Sequence, residues 1–330
     1  MTYDVGALRA QIPALRTGIA YFDGPGGTQT PAPVGAAIAD ALTRPLSNRG
    51  ASRRRGERGG SRQGVPADHG RPVGRGVLGV VFGRSATQLT YDFSRALAKD
   101  WAPGDEIVVS RLDHDANIRP WLQAAERTGA RVRWADFDPV TGELPPSAVG
   151  ELLTERTRLV AVTAASNLIG TLPDVAEIAR LVHRTDALLY VDGVHYTAHT
   201  FVDLARLGAD FFVCSPYKFL GPHHGVLAAA PALLETLRPD KLLPSSDAVP
   251  ERFELGTLPY ELLAGTRAAV DLLAGLGTGP GTTGAPGCGP RSRRSSGTSE
   301  RCGTGWRTAW PHSRASRSTP GRPTAPPRCS

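Results

Sequence analysis

Asp192 and Lys218 are the residues of this 330-residue chain whose setting most invites chemistry. An apolar run, Ala187–Val191, ends directly on Asp192. A second run, Asp210–Cys214, is followed by Ser215 and then by Lys218 in a turn flanked by Pro216 and Gly221. Ligands of open α/β sheets bind at the carboxyl ends of the strands. Taken singly, neither residue is telling, since an aspartate before glycine is most often a turn or cap residue and a lone lysine is most often solvated. Lysine is scarce here, however: Lys99, Lys218 and Lys241 stand beside thirty-five arginines. A strand-end carboxylate with a lysine on the neighbouring loop suits pyridoxal 5'-phosphate. The lysine forms a Schiff base, and the carboxylate keeps the pyridine nitrogen protonated so that the ring draws electrons.

Such a cofactor needs an anion site, and Gly83-Arg84-Ser85-Ala86-Thr87-Gln88 joins a strand signal to a helix signal. Small residues let backbone N–H groups reach a phosphate, the helix N-terminus favours negative charge, and the Ser85 and Thr87 hydroxyls add donors. Many strand-to-helix turns look alike, and an ordinary N-cap at Ser85 reads equally well from this segment alone. His195, His199, His223, His224 and Cys214 are metal-capable. Yet His195 and His199 lack the glutamate of HExxH and no CxxC occurs, so no metal site is expected.

The elements that must position these residues alternate. Apolar runs at 79–82, 106–110, 131–135, 158–163, 187–191 and 210–214 read as strands, and Thr87–Trp101, Ala116–Arg127 and Asp174–Arg184 as helices between them. That order predicts an α/β fold with a mostly parallel sheet flanked by helices. Pro173-Asp174 opens one helix and Pro103-Gly104 separates another from the next strand.

Two stretches break the pattern. Residues 49–75 carry eight Arg against Glu57 and Asp68, and 278–330 carry nine Arg against Glu300, with no Leu, Ile, Val, Phe, Tyr or Met. The formal charge of +7 therefore comes from these stretches, and the patterned remainder is acidic. Neither stretch can bury enough apolar surface to repay its ordering entropy, so both are expected to be disordered. The abrupt change at Gly277 is what a reading-frame shift in GC-rich coding sequence would leave. The tail has only Trp306 and Trp310 as aromatics, which argues against a nucleic-acid partner. No window approaches the roughly 18–20 apolar residues of a membrane helix, and no secretory signal is read. Cysteine usage, with Cys214 alone in patterned sequence, fits a cytoplasmic protein.

Seven blocks together carry a resemblance: Tyr21–Thr28, Asp113-His114-Asp115-Ala116-Asn117, Ser166–Thr171, Asp192-Gly193-Val194-His195, Ser215-Pro216-Tyr217-Lys218, Gly221-Pro222-His223 and Arg252–Thr257. In order and spacing the chain resembles the class V aminotransferase family, fold type I, in its cysteine desulfurase-like branch, over about 20–48 and 77–276. The resemblance implies catalytic roles for Lys218, Asp192 and His114. Lys218 would carry the cofactor and move the substrate Cα proton, Asp192 would pair with the pyridine nitrogen, and His114 would stack on the ring. Asn167 and His195 would reach the ring oxygen, His195 standing where desulfurases usually carry Gln. Ser85, Ala86, Thr87 and Ser215 would bind the phosphate, with Tyr217 beside it where desulfurases often carry His. Thr257 would reach the phosphate of a partner subunit, which implies a homodimer.

The resemblance divides the chain into an N-terminal segment (1–48), the Arg/Gly-rich segment (49–76), a cofactor-binding large domain (77–250), the start of an incomplete small domain (251–277) and the basic tail (278–330). It implies a pyridoxal-phosphate enzyme acting on a small amino acid. A lyase or epimerase acting on a larger amino acid, and an inactive pseudogene-like product, are the alternatives. The family's substrate-carboxylate arginine and persulfide cysteine belong to the region that is unpatterned here, so impaired activity is expected.

Overall fold

The computed structural model describes residues 4–45 and 79–276. The segments 49–75 and 278–330, expected above to be disordered, lie outside the described residues. Among the described residues seven strands form one sheet: β1 Gly79–Gly83, β2 Glu106–Ser110, β3 Arg131–Ala135, β4 Thr157–Thr163, β5 Leu188–Asp192, β6 Phe211–Cys214 and β7 Gly225–Ala229. Their spatial order is β1-β7-β6-β5-β4-β2-β3. The pairs among β3, β2, β4, β5 and β6 are parallel, whereas β7 runs antiparallel to both β6 and β1. The sheet is thus mixed at one side, and β7 is an element the strand signals above do not include. Its sequence, GVLAA, is small and short of β-branched residues, so it carries little strand propensity of its own.

Helices α1 Val5–Ala10 and α2 Ala32–Thr43 precede the sheet. Helix α3 Ala86–Leu97 follows β1, α4 Arg119–Thr128 follows β2, α5 Pro146–Gly150 follows β3 and α6 Val175–Val182 follows β4. The short α7 Leu204–Leu207 follows β5, and α8 Pro231–Thr236 and α9 Tyr260–Gly275 follow β7.

Alternation along the strands splits the core in two. Val108, Val160, Val162, Leu189, Val191 and Phe212 bury one face with Ile178 and Val182 of α6. Ile107, Val109, Leu159, Ala161, Tyr190 and Phe211 bury the other with Phe93 of α3 and Trp121 of α4. Residues that sit between two covered faces read as continuous apolar runs, which is why these strands were visible in the sequence. Helix α9 comes close enough to α2 that a Cβ at Gly265 would stand 2.7 Å from Ile38 Cγ1. Among the described residues no helix is long and apolar enough to cross a membrane.

Candidate active site

The parallel strands deliver their carboxyl ends to one place. Thr163 ends β4 and Asp192 ends β5, and the two are register partners. The Ala164 amide donates to the Asp192 carbonyl at 2.8 Å, which ties the two ends together. Asp192 is 8% exposed, and its Oδ1 accepts from the Val194 amide at 2.8 Å. Burial pushes this carboxyl above its ordinary range, while the Val194 hydrogen bond and the nearby His114 and Lys218 pull it back. Gly193 is required next to it, because a Cβ there would fall 2.0 Å from the Phe212 ring.

Beyond β6, Ser215 is 2% exposed and opens a 3-10 turn, Pro216–Lys218, that presents Lys218 to the same space. Partial burial lowers the Lys218 ammonium below its ordinary value, and Asp192 opposes that shift. The Lys218 Nζ donates to the Pro25 carbonyl. The segment carrying Pro25 is stitched down beside it: the Thr28 amide donates to the Tyr217 carbonyl at 2.9 Å, and the Leu220 amide donates to the Thr28 hydroxyl at 2.8 Å. Leu220 holds φ at 70°, a left-handed conformation that this bond helps to maintain. The Tyr217 ring stacks on His223 at 4.7 Å.

The β1–α3 turn closes the opposite side. Ser85 is extended, and its hydroxyl accepts from the Gln88 amide at 3.0 Å, so it is the N-cap of α3. The N-terminal end of α3 faces the pocket through Ala86, Thr87 and, one turn on, Thr90, and the first amides of a helix have no partner within it. Strand β7 passes so near that a Cβ at Gly225 would lie 2.3 Å from the Ser85 carbonyl carbon. Glycine at 225 is therefore a condition for this turn and this strand to coexist.

One pocket is lined by Ser85, Ala86, Thr87, His114 and Asn167, and equally by Asp192, His195, Ser215, Tyr217 and Lys218. Thr257 is exposed and outside it. Thr90, Thr163, Ala165 and Val194 also line the pocket, and the sequence reading left them out. Two of them had a signal: Thr163 ends the strand beside Asp192, and Thr90 lies one helical turn after Ala86.

The residues present fit pyridoxal 5'-phosphate. Among the described residues the Asp192 carboxylate has no ionised partner hydrogen-bonded to it, and a protonated ring nitrogen would supply one. The α3 terminus offers backbone donors to a phosphate. His195 Nδ1 is buried with no hydrogen-bond partner, and burial lowers the His195 pKa below its ordinary value, with His199 and Lys218 adding to the effect. Such a neutral ring has a nitrogen to offer to a ligand. Among the described residues no group of three or more His, Cys, Asp or Glu is placed to hold a metal ion.

The family model "Aminotransferase class-V" matches residues 20–279, so the chain belongs to that family. A relative from Mycobacterium tuberculosis, "Uncharacterized protein MT3887", is 33% identical over 84% of this chain and 70% of its own length. "Aminotransferase-like protein FGM3" of Gibberella zeae is 38% identical over 64% of this chain and 52% of its own length. A "Probable cysteine desulfurase" of Vibrio cholerae is 32% identical over 72% of this chain and 61% of its own length. The latter two relatives are thus matched over little more than half their length. Among solved structures, the cysteine desulfurase CsdA from Escherichia coli superposes with a TM-score of 0.70 at 25% identity, covering 83% of this chain and 72% of that one. The apo cysteine desulfurase of Thermococcus onnurineus NA1 gives 0.71 at 24% identity, over 84% and 72%, and shows the shared fold. The α/β fold with its mixed seven-stranded sheet is that of fold type I, and the chain is cysteine desulfurase-like.

Proposed function

We propose that this pocket binds pyridoxal 5'-phosphate through Lys218 and serves a cysteine desulfurase-like reaction on a small amino acid. The observation that carries the reading is the placement of a buried carboxylate, Asp192, and a lysine of lowered pKa, Lys218, in one pocket with the N-terminus of α3. Lys218 would hold the cofactor through Nζ. The backbone donors of α3 with Thr87 and Ser215 would take its phosphate, and Asp192 would keep a proton on its ring nitrogen. His114 would lie against the ring, and Asn167 and His195 would take its oxygen. Once bound, the cofactor supplies an electron sink that stabilises negative charge at the substrate Cα.

The chain's own residues do the rest. Burial favours an uncharged Lys218 amine, and an uncharged amine can accept a proton from the substrate Cα. The half-buried walls exclude part of the solvent, which strengthens the pull of Asp192 on a cationic partner. Thr257, exposed in the single chain, would complete the site in a cytoplasmic homodimer.

A second reading, a lyase or epimerase acting on a larger amino acid, is favoured by a neighbouring cleft that shares His114 and Asn167 and is walled by Val140, Leu168 and Ile169. The test is to mix the purified chain with pyridoxal phosphate and record the visible spectrum, with Lys218→Ala alongside. A new band that borohydride traps in the wild type and not in the variant is expected. A folded wild type without such a band overturns the proposal. Turnover of cysteine against bulkier amino acids then separates the two readings.

A further inference from the structure

His114 rides on a turn whose shape depends on its neighbour, Asp113. One Asp113 oxygen accepts from the Ser110 hydroxyl at the end of β2, and the other accepts from the Asn117 amide nitrogen at 2.6 Å. Asn117 is fully buried, and its Oδ1 accepts from the Trp121 indole N–H at 3.1 Å. Trp121 lies edge-on to Tyr190, with ring centroids 4.9 Å apart, and the Tyr190 hydroxyl is 3.0 Å from that of Thr90 in the pocket wall. A continuous set of side chains thus runs behind the pocket from β2 to α3. His114 itself makes a local bond, its Nδ1 accepting from the Ala116 amide at 3.1 Å. That bond lies within the turn, whereas the Ser110–Asp113–Asn117 bonds tie the turn to the end of β2 and to buried Asn117. Asp113 does not line the pocket that holds Lys218.

We propose that Asp113 is a positioning residue. By clamping Ser110 and Asn117 it sets the turn that presents His114 to the pocket, and so governs how a flat aromatic ligand is held against that imidazole. This rests on the reading of the pocket as a pyridoxal-phosphate site.

The test uses the full chain as wild type, Asp113→Ala, Asp113→Asn, His114→Ala and the double variant Asp113→Ala/His114→Ala. Pyridoxal phosphate is titrated into each, and the apparent Kd and the circular dichroism of the bound cofactor are read. The expected loss is about tenfold for either alanine variant, the size of one stacked-ring contact. Since Asp113 acts through His114, the double variant is expected to bind within about twofold of His114→Ala, not with the two losses multiplied. Asp113→Asn is expected to recover the dichroism, because an amide can accept from Asn117 and donate to Ser110. Losses that multiply, or an Asp113→Ala that binds like the wild type, overturn the inference while leaving the cofactor site standing. A folded wild type that binds no cofactor overturns both. Should Asp113→Ala not fold, Ser110→Ala removes half of the clamp and is read by the same cycle with His114→Ala, where multiplied losses again overturn it.

Discussion

Replacing Asp113 by asparagine should change how the stability of the chain depends on pH. Crowding by surrounding protein pushes the Asp113 carboxyl up to about 7, with nearby Asp192 adding to the rise and the bonds from Ser110 and Asn117 opposing it. Unfolded, an aspartate titrates at about 3.9. Between those values the folded chain holds a proton that the unfolded chain has released, so stability falls as pH rises through the window, by about 1.4 kcal/mol per unit. From pH 5 to pH 7 the wild type should lose about 2 kcal/mol from this one group, because the slope is already halved at pH 7. Asparagine does not titrate, and the other ionisable groups are common to both proteins. Urea unfolding followed by circular dichroism at pH 5, 6, 7 and 8 measures the difference. The variant should gain on the wild type by about 3 kcal/mol across that range, most of it below pH 7. Parallel pH profiles for the two proteins would refute the reasoning, because they would mean that Asp113 is as ionised in the folded chain as in the unfolded one.

Gly225→Ala places a Cβ against the Ser85 backbone, which cannot rotate away; it should cost about 1–3 kcal/mol in thermal or chemical unfolding and weaken pyridoxal-phosphate binding as the α3 terminus shifts. Phe93, 1% exposed, stacks on Phe253 at 5.1 Å and meets Phe211 edge-on at 5.5 Å. Phe93→Ala should therefore cost about 3–5 kcal/mol in urea unfolding, and a loss below about 1 kcal/mol would contradict the packing described.

The pocket was legible in the sequence where chemistry sits at the end of a patterned element. Asp192 follows an uninterrupted apolar strand, Lys218 sits between Pro216 and Gly221, and Ser85 caps a helix with a strong apolar face. Strand β7 was not legible, since alanine and glycine give it no propensity and its pairing is set by β1 and β6 on either side. The clasp of Thr28 on Tyr217 joins residues 189 positions apart, and no local rule forecasts it. Asp113 stood inside a recognised block, yet its role depends on Ser110 and Asn117 closing around it, which only the folded loop shows.

Lys218 is proposed to carry the cofactor, and the scarcity of lysine makes that directly testable. The chain is incubated with pyridoxal phosphate, reduced with borohydride, digested and mapped by mass spectrometry. The three lysines, Lys99, Lys218 and Lys241, report separately. Stoichiometric label on the peptide containing Lys218, absent from Lys99 and Lys241, is the predicted result. Label spread evenly over the three, or none on Lys218 in a folded chain, would contradict it.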